Sequence, residues 1–143
     1  MSVEKIAKAA ETAGKQNLFQ RVREVEVAGR KYTMRRPSRR EMFDSGVNNL
    51  SSFIRWLDSL IQTEKDVERK EELVKLRERK QYEFERALLK LCVENTTDED
   101  LDNLGYDEWY ELFNYVSDFV FVAPFREFLQ RLEFKRDVPL AIS

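Results

Sequence analysis

Residues 37–61, PSRREMFDSGVNNLSSFIRWLDSLI, carry the plainest structural signal in the chain. Pro37 keeps Arg36 out of the helical region, and Ser38 followed by Glu41 has the form of a capping box. A helix is therefore predicted to start at Ser38. Met42 and Phe43 fall in its first turns. Leu50, Phe53, Ile54, Leu57, Leu60 and Ile61 then recur at the three- and four-residue spacing of one buried face. Gly46 costs this helix about 1 kcal/mol relative to Ala, so it marks either a close crossing or a break.

Working towards the N-terminus, Arg21–Val27 and Lys31–Arg35 alternate in polarity around Gly29, which predicts a small hairpin over 21–35. A two-stranded ribbon is marginal alone and has to pack on helices. Val3, Ile6, Ala7 and Ala10 make a weak stripe closed by Gly14, so 1–20 reads as a short N-terminal helix or a flexible segment.

Working towards the C-terminus, residues 63–79 are dominated by charge, with Glu and Lys/Arg three and four apart. They predict an exposed helix, either a protruding arm or a solvated link. Tyr82, Phe84, Leu88, Leu89, Leu91, Cys92 and Val93 mark a second core helix. Thr96, Thr97 and Asp98 offer caps for a short acidic turn ending at Gly105, and Asp107 can cap the next helix. That helix carries the stripe Trp109, Leu112, Phe113, Val116, Val120. Pro124 is expected to interrupt it, with Phe125, Phe128, Leu129 and Leu132 forming another stripe. Alternation over 138–142 predicts an extended tail at 134–143. The fold class is mainly α: a helical bundle with a small N-terminal β-hairpin and a charged helical arm, its single domain covering 21–133.

Composition narrows the chemistry. The 143 residues are 42% hydrophobic and 36% charged, with no histidine and one cysteine, Cys92. Zinc sites and Ser-His-Asp or Cys-His catalysis lose their usual residues, and one thiol excludes an internal disulfide. The four glycines are isolated, so there is no phosphate loop. Asp98, Asp100 and Asp102 mimic the start of a calcium loop, but Asn103 and Trp109 stand where Gly and Glu are required. No catalytic, metal-binding or cofactor-binding residue is expected, and the chain does not read as an enzyme. With no signal-peptide core and no apolar run of about 20 residues, a cytoplasmic protein without a membrane span is expected.

The net charge of −2 conceals a strong asymmetry. Residues 1–40 carry eleven Lys/Arg against four Asp/Glu, whereas 94–119 carry nine Asp/Glu and no Lys/Arg. Arg35, Arg36, Arg39 and Arg40 are thus candidates for electrostatic pairing with the acidic segment, within one molecule or between copies. The same arginines could hold phosphates, although the sequence pI of about 5.4 is far from that of a typical nucleic-acid-binding domain. Aromatic residues gather between Trp109 and Phe134. One stripe cannot bury them all: Trp109, Phe113 and Phe128 fit the core pattern, while Tyr110, Phe119 and Phe121 fall off it. Together with Phe125 these are the candidate partner-binding residues, the alternative being a helix sandwiched on two sides.

The order of segments resembles that of phage tail assembly chaperones. The stretch VEVAGRKYTMRRPSRREMFDS (25–45) is similar to their opening, a strand, Gly turn and Tyr-Thr-basic-basic-Pro run leading into a helix. The stretch ALLKLCVENTTDEDLDNLGYDEWYELFNYVSDF (87–119) resembles their second half. The arm at 63–79 and the N-terminal helix depart from that pattern. The resemblance implies a helical protein in the host cytoplasm that binds the tape-measure protein and the major tail-tube protein, with a homo-oligomer possible. It transfers no individual functional residue. The alternatives are a structural virion component, such as a tail or baseplate adaptor, and a nucleic-acid-binding regulator.

Overall fold

The structure, a computed structural model, describes residues 21–142, with side chains through residue 132. The N-terminal segment 1–20, with its expected helix, lies outside the described residues. Strands β1 (Val22–Val27) and β2 (Arg30–Arg35) pair antiparallel with Val27 opposite Arg30. The two-residue turn places Ala28 at φ 51° and Gly29 at φ 80°. Positive φ at both positions matches the right-handed twist of the strands, which is why a Gly-containing pair closes this hairpin. Val27, Tyr32 and Met34 are buried on its inner face. The ribbon does not stand alone: Met34 bridges Val93, and the Glu94 N–H donates to the Thr33 carbonyl at 2.9 Å.

Helix α1 (Arg39–Asp44) starts at the predicted capping box, where Ser38 Oγ accepts from the Glu41 N–H and Glu41 Oε1 accepts from the Ser38 N–H, both at 3.1 Å. It ends within two turns. Gly46 takes φ 82°, and α2 (Val47–Thr63) follows in a new direction. An added Cβ at Gly46 would meet nothing within 4 Å. Backbone conformation, not a close crossing, is what calls for glycine there.

The chain reverses at Glu64–Asp66, and Asp66 caps α3 (Val67–Cys92) by accepting from the Glu68 N–H. The charged stretch is the first half of this 26-residue helix, about 39 Å long at 1.5 Å per residue. It lies antiparallel to α2, with Arg77 Nε 2.8 Å from Asp58 Oδ1 and Lys80 over the Phe53 ring. Ile54 and Leu57 are buried in this pairing, outside the main core cluster. The arm is therefore two helices thick, and the far end of α3 enters the core through Leu88, Leu89 and Cys92.

After α4 (Asp98–Asp102) comes α5 (Tyr106–Ser117), then a π-turn (Asp118–Val122), then α6 (Ala123–Ile142). Three expectations are corrected here. Pro124 does not interrupt the helix. The Ala123 N–H donates to the Asp118 carbonyl in π fashion, and the wider turn carries the chain past the proline. Phe119 and Phe128 exchange places: Phe119 is fully buried with Leu112 and Val116, whereas Phe128 is exposed. The tail expected at 134–143 is not extended over its described residues, because the α6 backbone stays helical to Ile142. Alternation over five residues is too short to separate strand from helix, and the Leu-, Glu-, Lys- and Arg-rich stretch before it propagates the helix. Among the described residues no helix is long and apolar enough to cross a membrane.

Candidate functional site

The four candidate arginines divide into two pairs. Arg35 Nη2 lies 2.6 Å from Glu41 Oε2, so the capping carboxylate also neutralises the strand end. Arg36 is held on three sides. Its guanidinium forks onto Glu127 at 3.2 and 3.4 Å, its Nε donates to the Phe119 carbonyl at 2.9 Å, and its Cζ sits 4.3 Å from the Phe119 ring centroid. The carbonyl contact has a local cause. The Ala123 N–H is committed to Asp118, and Pro124, next in line, has no N–H to give Phe119. Arg36 supplies the missing donor. Arg39 and Arg40 are exposed; Arg40 pairs with Asp44 one turn on, and Arg39 has no ion pair among the described residues.

Within the chain, Arg35 and Arg36 hydrogen-bond to Glu41 and Glu127, which lie outside 94–119, while Arg35 also feels the Glu94 charge. The acidic segment takes its cations elsewhere. Arg86 contacts Asp102 at 2.7 Å and Asp98 at 3.0 Å, Lys90 contacts Asp98 at 2.9 Å, and Arg30 approaches Asp100 at 3.6 Å. Of the basic head, Arg30 beside the hairpin turn makes the direct ion pair to this segment among the described residues.

The aromatic candidates also divide. Phe119 is a core residue, covered by Arg36 and by Arg23, whose Cζ lies 4.8 Å from the ring centroid. Its burial has a spacing signal, three residues after Val116 and seven after Leu112. What the sequence conceals is the cover, because two arginines lay their heads and stems over the ring where an apolar residue would be looked for. Tyr110, Phe121 and Phe125 are on the surface, Phe125 at 63% exposure. Val122, Phe128, Leu129 and Leu132 are exposed beside them, so one side of α6 is an open apolar face. Between this helix, α1 and the start of β1 lies a cleft of about 350 Å³, with Met42, Val120, Phe121, Pro124 and Phe128 as its apolar lining. Arg21, Arg36, Arg39 and Arg131 rim it.

A second cleft, of about 660 Å³, opens between α3, α4 and α5. Tyr82, Tyr106, Trp109 and Tyr110 line it, with Arg77, Glu78, Glu85 and Asp102 as its charged residues. Glu85 is buried at 5% exposure, and its two oxygens accept separately from Trp109 Nε1 at 2.8 Å and Gln81 Nε2 at 2.9 Å. The sequence gives no hint of this carboxylate, since Glu85 stands among the many charged residues of α3.

The electrostatics follow from these contacts. The hydrogen bond from Arg35 and the backbone N–H of Ser38 hold the Glu41 carboxyl down at about 2. Lys90 and Arg86 keep Asp98 below the usual carboxylate range, and the Thr97 cap does the same for Asp100. Burial pushes the Cys92 thiol up to about 12, so this cysteine is a small core residue and not a nucleophile. No protein-family model matches the chain, and no curated protein or solved structure matches it either.

Proposed function

We propose that this protein is a non-enzymatic tail assembly chaperone of a tailed phage, which covers a helical segment of the tape-measure protein with the open face of α6 and also engages the tail-tube protein. The observation that carries the reading is the exposed stripe Val122, Phe125, Leu129 and Leu132, flanked by Phe121 and Phe128. A soluble monomer rarely leaves so many neighbouring apolar side chains on one helix in water, and such a face fits an amphipathic helix laid along it. The opposite side of α6 is anchored through Glu127 and Arg36, so the open face is presented by a fixed helix. The order of segments, hairpin, Pro, capped helix, acidic link and aromatic helix, supports the choice of family.

The test is co-expression of the full chain with a phage tape-measure protein. Wild type keeps the tape-measure protein soluble and co-purifies with it. Phe125→Ser with Leu129→Ser loses both effects while melting within about 4 °C of wild type, the shift of a sub-kcal/mol change. Undiminished capture by that variant overturns the α6 face as the site. Detection of the chain in purified virions overturns the chaperone reading in favour of a structural component.

A further inference from the structure

We propose that the cleft between α3, α4 and α5 is a binding site for a cationic side chain, an arginine guanidinium held against the buried Glu85 carboxylate and the tyrosine rings around it. Glu85 is an anion taken out of water with no cation at ion-pairing distance among the described residues. Its two donors, the Trp109 indole and the Gln81 amide, are neutral. The nearest cations are committed elsewhere, Arg77 to Asp58 and Arg86 to Asp98 and Asp102. A buried carboxylate without a counter-charge is costly, and a bound cation offsets that cost. The existing hydrogen bonds aim the group without saturating it, because each carboxylate oxygen accepts two bonds and here receives one.

The walls favour a flat cation. Tyr82 stacks on Trp109 with centroids 5.5 Å apart and 15° between planes, and Tyr106 meets Tyr110 edge-on at 4.8 Å. Ring faces attract a guanidinium through their quadrupoles, and the planar Arg group stacks on them more readily than the strongly hydrated Lys ammonium. Tyr106 is 77% exposed, and Glu78 adds negative charge to a lining in which Arg77 and Asp102 are already paired, with Asp58 and Arg86. About 660 Å³ is enough for an arginine side chain with part of its flanking peptide. The site is separate from the α6 face and opposite in character to the arginine-rimmed cleft, so either reading can fail without the other.

The chain has two tryptophans, and in a Trp56→Phe background Trp109 reports alone. The probes are acetyl-Ala-Arg-Ala-amide and the same peptide with neutral citrulline. The arginine peptide is expected to change Trp109 emission saturably, with a half-point at or below ~1 mM, and citrulline to bind at least about tenfold more weakly. Glu85→Gln, checked for folding by its melting curve, is expected to lose about tenfold. Tyr106→Ala, at a position 77% exposed and checked for folding in the same way, is expected to weaken binding severalfold. Equal responses to the two peptides, no saturable response, or titrations unchanged in both variants overturn the proposal. Light scattering then assigns the source. Self-association lost in Arg39→Ser with Arg40→Ser places the arginine on a second copy, and a monomer throughout places it on another protein.

Discussion

Helices α5 and α6 are one continuous rod, yet they treat their apolar residues in opposite ways. In α5 the stripe is buried: Leu112 and Val116 are closed to solvent, as is Phe119 where the π-turn begins. In α6 the equivalent stripe of Phe125, Phe128, Leu129 and Leu132 faces water, with Phe128 at 52% exposure. The turn at Asp118–Val122 sets the phase between the two. One extra residue in a helical turn rotates everything after it by about 100°, so the core-facing line passes from Phe119 through Ala123 to Glu127, where uninterrupted α-helical spacing would bring Arg126. Glu127 is tolerated there because Arg36 reaches across to it. A hydrophobic stripe in a sequence shows that a face exists. Whether that face is covered depends on the phase of the helix that carries it.

The contrast can be broken most severely at Phe119. Phe119→Ala is expected to cost about 3–5 kcal/mol by chemical denaturation, as for other fully buried aromatics. Arg36→Met is expected to cost about 2–3 kcal/mol, because it strands the half-buried Glu127 carboxylate and the Phe119 carbonyl together. Adding Glu127→Met should restore part of that loss, which a double-mutant cycle would measure. At the α1–α2 break, Gly46→Ala is expected to cost about 1 kcal/mol through backbone strain at φ 82°, since nothing crowds the new methyl.

Acid sensitivity gives a smaller, pH-limited effect. Glu41 is about 2 in the folded chain against 4.5 as a free side chain. A lowered folded value means that its contribution is complete above about 4.5 and is lost as pH falls from 4.5 towards 2. Asp98 and Asp100 shift in the same direction. Glu41→Gln should therefore flatten the acid limb of the stability curve in that window and leave its neutral region unchanged in shape. The smallest effect belongs to the open side of the contrast. Phe125→Ala with Leu129→Ala should change stability by no more than about 0.5 kcal/mol.

Local rules made most of the fold legible. The Ser38–Glu41 box, the Gly29 turn and the spacing from Leu50 to Ile61 are short-range signals, and each appears where its chemistry demands. Gly46 was legible as a choice between break and crossing, decided by its positive φ. The charged run was legible as helix over 67–79 but not its break at Glu64–Asp66, and its packing against α2 depends on Asp58 and Phe53, which sit far away in sequence. The candidate site was read less well for the same reason. Pro124 signals a disturbance without specifying a π-turn, and Arg23 and Arg36 covering Phe119 is a tertiary event that no periodicity records. Glu85 is the extreme case. Its burial under Trp109 is set by a partner 24 residues away in a segment with its own helical logic.

The most direct test of the central contrast is hydroxyl-radical footprinting of the native protein, read residue by residue over 106–132. Phe119 is expected to be protected to the level of Leu112, while Phe121, Phe125, Phe128 and Leu129 are modified nearly as fast as in the unfolded chain. Modification at Phe119 together with protection at Phe125, Phe128 and Leu129 would place the covered face on the other side of the helix and contradict the account.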